Sequence, residues 1–185
     1  MLAYVFVLVA VAVRFMILGL TPHPFAFTPV AAALLYFGAR GPRRQLWIPF
    51  VLLAASDVVL TKFFYAYQFS WDHFVTWLWY AAILWLGTGL RESASLRSVT
   101  DWLRVGSASL TASISFFVVS NFAVWACWNM YPKTFAGLMT CYAAGIPFFR
   151  HSVAGDLVFT AFMFGVPAAA ALLARSSNSH GPAAA

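Results

Sequence analysis

The run Val105-Gly-Ser-Ala-Ser-Leu-Thr-Ala-Ser-Ile-Ser-Phe-Phe-Val-Val-Ser-Asn-Phe-Ala-Val-Trp-Ala-Cys-Trp128 decides the fold. It carries no Asp, Glu, Lys or Arg and exceeds the roughly 20 mostly apolar residues that a helix needs to cross a bilayer. Hydrocarbon offers no partner to backbone N–H and C=O groups, so such a run must pair them internally as a helix. Comparable stretches lie on either side, at Met1–Leu20, Leu46–Tyr67, His73–Leu90 and Ala154–Ala174. Thr28–Ala39 is shorter, bracketed by Pro22, Pro24 and Pro29 and closed by Gly38, Gly41 and Pro42, which makes it a discrete element. It is either a full span or a re-entrant piece. The alternation of a membrane barrel is absent. The expected fold is all-α, a polytopic membrane helix bundle of about six transmembrane helices over residues 1–175. A Ser-, Gly-, Pro- and Ala-rich tail, 176–185, is expected to be disordered.

Composition agrees. Of 185 residues, 63% are hydrophobic and 9% charged, against roughly 25% charged in a soluble domain. So few charges cannot cover a water-facing surface, which excludes a soluble enzyme, a disordered chain and a secreted disulfide scaffold. The net charge of +6 does not mark a nucleic-acid partner, because the basic residues sit between apolar stretches rather than in one run. Arg40, Arg43, Arg44, Arg91, Arg97, Arg104 and Arg175 all fall on one side when six spans alternate. The positive-inside rule makes that side cytoplasmic and gives an N-in, C-in layout. Five spans would keep the same seven together and move the N-terminus. No basic region or small-residue cleavage site precedes Thr21, so the first apolar stretch is expected to stay in the bilayer. On the fifth span, Gly106, Ala108, Ala112 and the alternating Ser107, Ser109, Ser113 and Ser115 predict close helix packing.

The polar residues then sort by depth. Asp57, Asn121, Asp156 and Arg14 fall in the outer half, beside Pro22-His23-Pro24, Lys62, Asp72-His73 and the segment Asn129–Val153. Polar groups within a bilayer are costly and mark pathways or binding sites. Bland readings stand beside that one. Asp57 is compatible with a structural ion pair to Arg14 or Lys62, or with a ligand role. Asn121 is compatible with an interhelical hydrogen bond. Phe117, Asn121, Trp125 and Trp128 share a helical stripe that would form either a pocket wall or an interfacial belt. His23, His73 and His151 lack metal-ligand spacing, so no metal is expected. Cys127 and Cys141 are read as free thiols in preference to a disulfide. Neither a G-x-S-x-G elbow nor H-E-x-x-H occurs, and Gly155-Asp156 lacks the doubled glycine of intramembrane aspartyl proteases. No phosphate loop is present, so uptake driven by ATP would need a partner.

Several runs resemble one family. Pro22-His23-Pro24-Phe25-Ala26-Phe27-Thr28-Pro29 is similar to the P-H-P-x-N-x-T-P opening of an uncharacterised bacterial family of small integral-membrane proteins, a domain of unknown function. Ala26 stands where the family has Asn. The likeness continues at Ser56-Asp57, at Phe116-Phe117-x-x-x-Asn121-Phe122-x-Val124-Trp125, at Tyr131-Pro132-Lys133-Thr134-x-x-Gly137-Leu138-x-x-Cys141-Tyr142, at Pro147-Phe148-Phe149 and at Gly155-Asp156. The family's architecture in turn resembles the S components of energy-coupling-factor vitamin transporters. That resemblance implies a bacterial inner-membrane protein that docks on an ATPase-driven coupling module. Helix 1 has Ala10 and Ala12 rather than the A-x-x-x-A docking pattern.

The expectation is a protein that is not an enzyme and uses no cofactor. It captures a small molecule, such as a vitamin, a cofactor precursor or a metal, in an extracytoplasmic pocket. Asn121, Tyr131 and Tyr142 would hydrogen-bond the ligand and Trp125 would stack on it. Lys133 and Arg150 would favour an anionic group, with Asp57 and Asp156 ordering those bases or holding a cation. The rival is a non-transporting scaffold that docks another protein through its polar outer face. A membrane enzyme acting on a lipid or quinone ranks third, since no nucleophile with its base is present.

Overall fold

In a computed structural model, which describes residues 1–20, 28–65 and 68–179, the chain forms six helices and no strand among the described residues. They are α1 (Leu2–Leu20), α2 (Val30–Arg40), α3 (Trp47–Val59), α4 (Asp72–Thr88), α5 (Val99–Cys127) and α6 (Phe135–Ser179). A 3₁₀ turn at Arg43–Gln45 leads into α3, and a π-helical turn at Leu60–Phe64 continues it. Three helical stretches are long and apolar enough to cross a membrane: Arg43–Phe64, Val99–Cys127 and Phe135–Ser177. Their outward faces are apolar. Phe63 (72% exposed), Leu103 (67%) and Leu173 (70%) lie largely uncovered by protein, as lipid-facing side chains would.

The core is built around α2. Every residue from Val30 to Ala39 is buried, because α1, α4, α5 and α6 all pack on this one short helix. That explains its sequence, apolar all the way round with no polar stripe. Its 11 residues measure about 17 Å, roughly half the hydrocarbon thickness. Tyr4 stacks edge-on against Phe37 and Phe6 against Tyr36, at 5.1 and 4.9 Å, so α1 and α2 run antiparallel. In that register α2 begins about level with Ala12, and Arg14 projects just beyond its first turn. Against α4 the approach is closer still. A Cβ on Gly38 would lie 2.8 Å from the Cα of Gly87, and one on Gly87 would lie 2.5 Å from the Leu35 carbonyl. The two helices meet backbone to backbone there.

α5 and α6 form the other large interface. The expected small-residue packing is present for Ala108, Ser109, Ala112 and Ser113, all buried. Gly106 has open space beside it, and Ser115 turns instead towards α4, accepting from the Trp79 indole at 3.0 Å. α5 also starts earlier than the apolar run. Ser98 and Asp101 form a capping box, with the Asp101 amide donating to Ser98 Oγ at 3.2 Å and the Ser98 amide to the carboxylate at 3.1 Å. Desolvation raises the Asp101 carboxyl. Hydrogen bonds from the Ser98 and Ser93 hydroxyls and the Ser98 and Arg97 amides outweigh it and hold the group below the ordinary aspartate range. Because the folded value is the lower one, this stabilisation is complete at neutral pH and is lost as pH falls through that value. Ser98→Ala is expected to cost about 1 kcal/mol. The gap between its thermal midpoint and the wild type's should narrow on acidification but not vanish, because the Asp101 amide's bond to Ser98 Oγ does not titrate.

Two boundaries differ from expectation. The segment Asn129–Val153 is not an outer loop: only a short turn separates α5 from α6, and helix begins at Phe135. Thr134 caps that start, its hydroxyl accepting from the Gly137 amide at 3.1 Å, and α5 supplies the packing surface that the scattered polar residues concealed. α6 also runs through Ser176 to Ser179, where the tail was expected to be disordered, and residues 180–185 lie outside the described set. The hydroxyls of Ser176 and Ser177 donate back to Leu173 and Ala174 at 2.8 and 3.0 Å, prolonging the helix. Pro147 and Pro167 lie inside α6 and each removes one backbone donor from its ladder.

Candidate functional site

The polar residues singled out above fall, among the described residues, into two separate groups within the bundle and one helix cap. The first group joins α1, α3 and α4. Asp57, one turn before the end of α3, forms an ion pair with Arg14 and accepts from the Trp77 indole at 3.0 Å and the Tyr80 hydroxyl at 3.3 Å. Arg14 donates its other nitrogen to Ser56 Oγ at 2.8 Å, and Ser56 donates to the Leu53 carbonyl at 2.7 Å. Of the two roles open to Asp57, the geometry displays the ion pair with Arg14; Lys62 is exposed and lies over the Phe63 ring instead. Both carboxylate oxygens and the guanidinium are engaged, so the network is closed on itself.

The second group lies between α5 and α6. A cavity of about 190 Å3 is lined by Ser113, Phe116, Phe117, Ser120 and Asn121 from α5 and by Gly145, Phe148, Phe149 and Ser152 from α6. Asn121 donates to the Phe117 carbonyl at 2.8 Å. The absence of a side chain at Gly145 makes room for its carboxamide, since a Cβ there would sit 2.6 Å from Asn121 Oδ1. Beneath the cavity the Ser113 hydroxyl donates to Asp156 Oδ2 at 2.6 Å, and one turn deeper Thr160 donates to Ser109 Oγ at 3.1 Å. Asp156 is buried, and no ion pair to it occurs among the described residues. A buried carboxylate held by a hydroxyl and not by a cation is an unbalanced arrangement in a low-dielectric setting.

The third arrangement closes α5. Lys133 Nζ donates to the carbonyls of Trp125, Ala126 (3.2 Å) and Trp128 (2.6 Å), and its charge lies 5.7 Å from the centre of the Trp125 ring. The Trp125 indole donates to the Pro132 carbonyl at 2.9 Å. A cation on the last carbonyls of a helix satisfies orphan acceptors and opposes the dipole. Lys133→Met is therefore expected to lower stability by about 1 kcal/mol once surface screening is allowed for. Thermal unfolding would measure that loss.

The eight residues singled out from the sequence thus divide. Asn121 lines the cavity, Asp156 reaches it through Ser113, and Asp57 stands apart in the Arg14 network. Trp125 and Lys133 belong to the α5 cap. Tyr131 is half-buried in the turn after it, and Tyr142 donates to the Val118 carbonyl at 2.9 Å. Arg150 is exposed on α6. The aromatic wall comes from Phe116, Phe117, Phe148 and Phe149, with Phe117 and Phe149 packed at 4.7 Å, and not from Trp125. Ser120, Gly145, Phe148, Phe149 and Ser152 went unnoticed as site residues. Their signal is the spacing 145, 148, 149, 152, one helical face, visible only if that stretch is read as helix. The Pro22–Pro24 motif and His23 lie outside the described residues. No group of three metal-ligating side chains occurs among the described residues, and Cys127 and Cys141 are free thiols, the first exposed and the second buried.

Comparison with known proteins gives one match: a family model described as a family of unknown function (DUF6580) fits residues 1–179. No curated protein and no solved structure matches the chain.

Proposed function

We propose, for a chain that belongs to DUF6580, a family of unknown function, that it captures a small solute in the cavity between α5 and α6. The supporting observation is the Asp156 carboxylate, buried beneath a cavity of about 190 Å3 with no cation paired to it among the described residues. A guest bearing a positive charge or several N–H donors would offset that carboxylate through Ser113, which lines the cavity, while Asn121 and Ser120 give it directional contacts and the four phenylalanines surround it. Lys133 is committed to the α5 carbonyls and Arg150 is exposed, so an anionic guest finds no counter-charge among the described residues that line this cavity. The size selects too. Pockets for drug-sized molecules start at about 300 Å3, so the guest is a compact amine or amide rather than a large cofactor.

The membrane frame is the same reading. Six crossings, N-in and C-in across a bacterial inner membrane, place the cavity in the outer half and the arginine-rich end in the cytoplasm. Capture requires no energy source. Uptake requires one, and an ATPase-driven coupling module would be the partner. Ala3, Val7 and Ala10 of α1 are buried inside the bundle, so such a module would dock elsewhere.

Thermal unfolding of the detergent-purified protein against a panel of small amines, amides and inorganic cations tests the proposal. A saturable rise in midpoint is expected for at least one compact cationic compound, with Asp156→Asn abolishing it and Lys133→Met leaving it intact. No shift across the panel, or a shift indifferent to Asp156→Asn and Asn121→Ala, overturns it. A protein partner retained on purification without any ligand would favour the scaffold instead.

A further inference from the structure

At the opposite end of the bundle from the cavity, the arginines are not equivalent. Arg91 lies apart, donating one nitrogen to the Gly41 carbonyl at the end of α2 at 2.8 Å while its buried Nε has no partner among the described residues. Arg40, Arg97 and Arg175 instead converge on one small recess from three elements: the end of α2, the turn before α5 and the last turns of α6. None of the three has an ion-pair partner among the described residues. The nearby acid Asp101 is held by the capping box, where the Arg97 backbone amide, not its guanidinium, donates to it at 3.0 Å. Arg40 makes one hydrogen bond, to Ser95 Oγ at 3.1 Å, which leaves the rest of its fork unused.

Orientation in the membrane requires arginines at this end but not three of them around one recess, where mutual repulsion raises the energy unless an anion sits between them. The recess is about 60 Å3, the liquid volume of about two waters, so it admits a phosphate-sized group but not a sugar or a base. Beside Ser95, its remaining wall is apolar: Pro167, Ala168, Ala171 and Leu172 of α6. Leu172 and Leu173 are exposed at 59% and 70%, continuing that apolar wall onto the outer surface of the bundle. An anion site walled on one side by exposed apolar helix matches an amphiphile, with a charged head in the recess and hydrocarbon along α6.

We propose that Arg40, Arg97 and Arg175 form a site for the phosphate of an anionic phospholipid at the cytoplasmic leaflet. Guanidinium forks match phosphate oxygens bidentately, and basic recesses between helices on the cytoplasmic side are suited to such head groups. The site is independent of the α5–α6 cavity and rests only on the membrane placement above.

The test titrates the purified full chain in neutral detergent with phosphatidylglycerol, phosphatidylcholine or inorganic phosphate. Thermal midpoint and retained lipid, the latter by native mass spectrometry, are the readouts. Phosphatidylglycerol is expected to raise the midpoint saturably and to remain bound, phosphatidylcholine to do neither, and excess inorganic phosphate not to compete. Arg97→Gln with Arg175→Gln should weaken phosphatidylglycerol binding roughly thirtyfold, at about 1 kcal/mol per arginine near the surface. Arg43→Gln with Arg44→Gln removes the same charge at the same end outside the recess and should leave binding within about twofold. Arg97→Gln alone, at an exposed side chain with no ion-pair partner among the described residues, guards against misfolding and should cost about fivefold. Equal losses in the recess and control pairs, or an equal effect of inorganic phosphate, would overturn the assignment.

Discussion

Gly38→Val is expected to prevent the protein from reaching its folded state. At Gly38 even a methyl group would sit against the Leu84 carbonyl oxygen and 2.8 and 2.9 Å from the Cα and carbonyl carbon of Gly87. These are backbone atoms of a packed helix, so no rotamer change relieves the contact; α2 and α4 must move apart. α2 is enclosed by four helices, and separating it from one opens space against the others. Overpacking of a core costs about 1–3 kcal/mol when side chains can adjust, and more is expected where they cannot. Against a total stability of about 5–15 kcal/mol, Gly38→Ala should survive weakened and Gly38→Val should appear as aggregate on size-exclusion chromatography. Gly106→Ala is the control. Nothing lies within 4 Å of its added methyl, and replacing a mid-helix glycine should leave stability unchanged or raise it by up to about 1 kcal/mol. A well-folded Gly38→Val protein would refute the backbone contact between α2 and α4.

The second large effect concerns the Arg14–Asp57 pair. Asp57→Ala leaves the Arg14 guanidinium, the Trp77 indole and the Tyr80 hydroxyl without their shared acceptor. Removing one partner of a buried pair costs about 3–5 kcal/mol, because the remaining charge is then uncompensated. Removing both is milder. Arg14→Met with Asp57→Leu is expected to recover most of the loss, since apolar groups of similar volume need no partner. A double-mutant cycle by thermal unfolding would therefore give strong coupling between the two positions. If the single and double variants lose stability additively, the pair does not hold α1 to α3. Asp57→Ala should leave ligand-induced stabilisation through Asp156 intact in any protein that still folds, which separates this network from the cavity.

How much of this was legible in the sequence depends on the element. The helical class and the Val105–Trp128 run follow from the absence of charge over a span's length. The pairing of Arg14 with Asp57 was one of two readings open, because an acid and a base at similar depth attract in a low-dielectric medium. α2 was visible as a segment, but Gly38 was read as the punctuation that ends it. Its function as the contact with Gly87 lies in tertiary packing, to which a single sequence gives no access. The stretch after Asn129 misled for another reason. Tyr131, Lys133, Tyr142 and Arg150 are polar enough to read as a loop, whereas in the structure Lys133 lies on the carbonyls that end α5, Tyr142 donates to Val118 of α5, Tyr131 is half-buried in the turn and Arg150 is exposed on α6. Depth was a fair guide to where polar groups lie, and a poor one to which of them meet.

The brevity of α2 has a consequence for biosynthesis. It is enclosed by α1, α4, α5 and α6, and of these only α1 precedes it. Some 30 residues separate its end from the start of α4, and α6 is completed only as the last described residues leave the ribosome. Until α4 is made, then, the future centre of the protein has only α1 beside it. At about 17 Å it is too short to rest across lipid by itself. On the membrane placement proposed above, either α1 would shelter it in the insertion machinery, or it would enter the bilayer late, drawn in when α4 arrives. Arrested nascent chains truncated before and after α4 would distinguish the two orders of assembly.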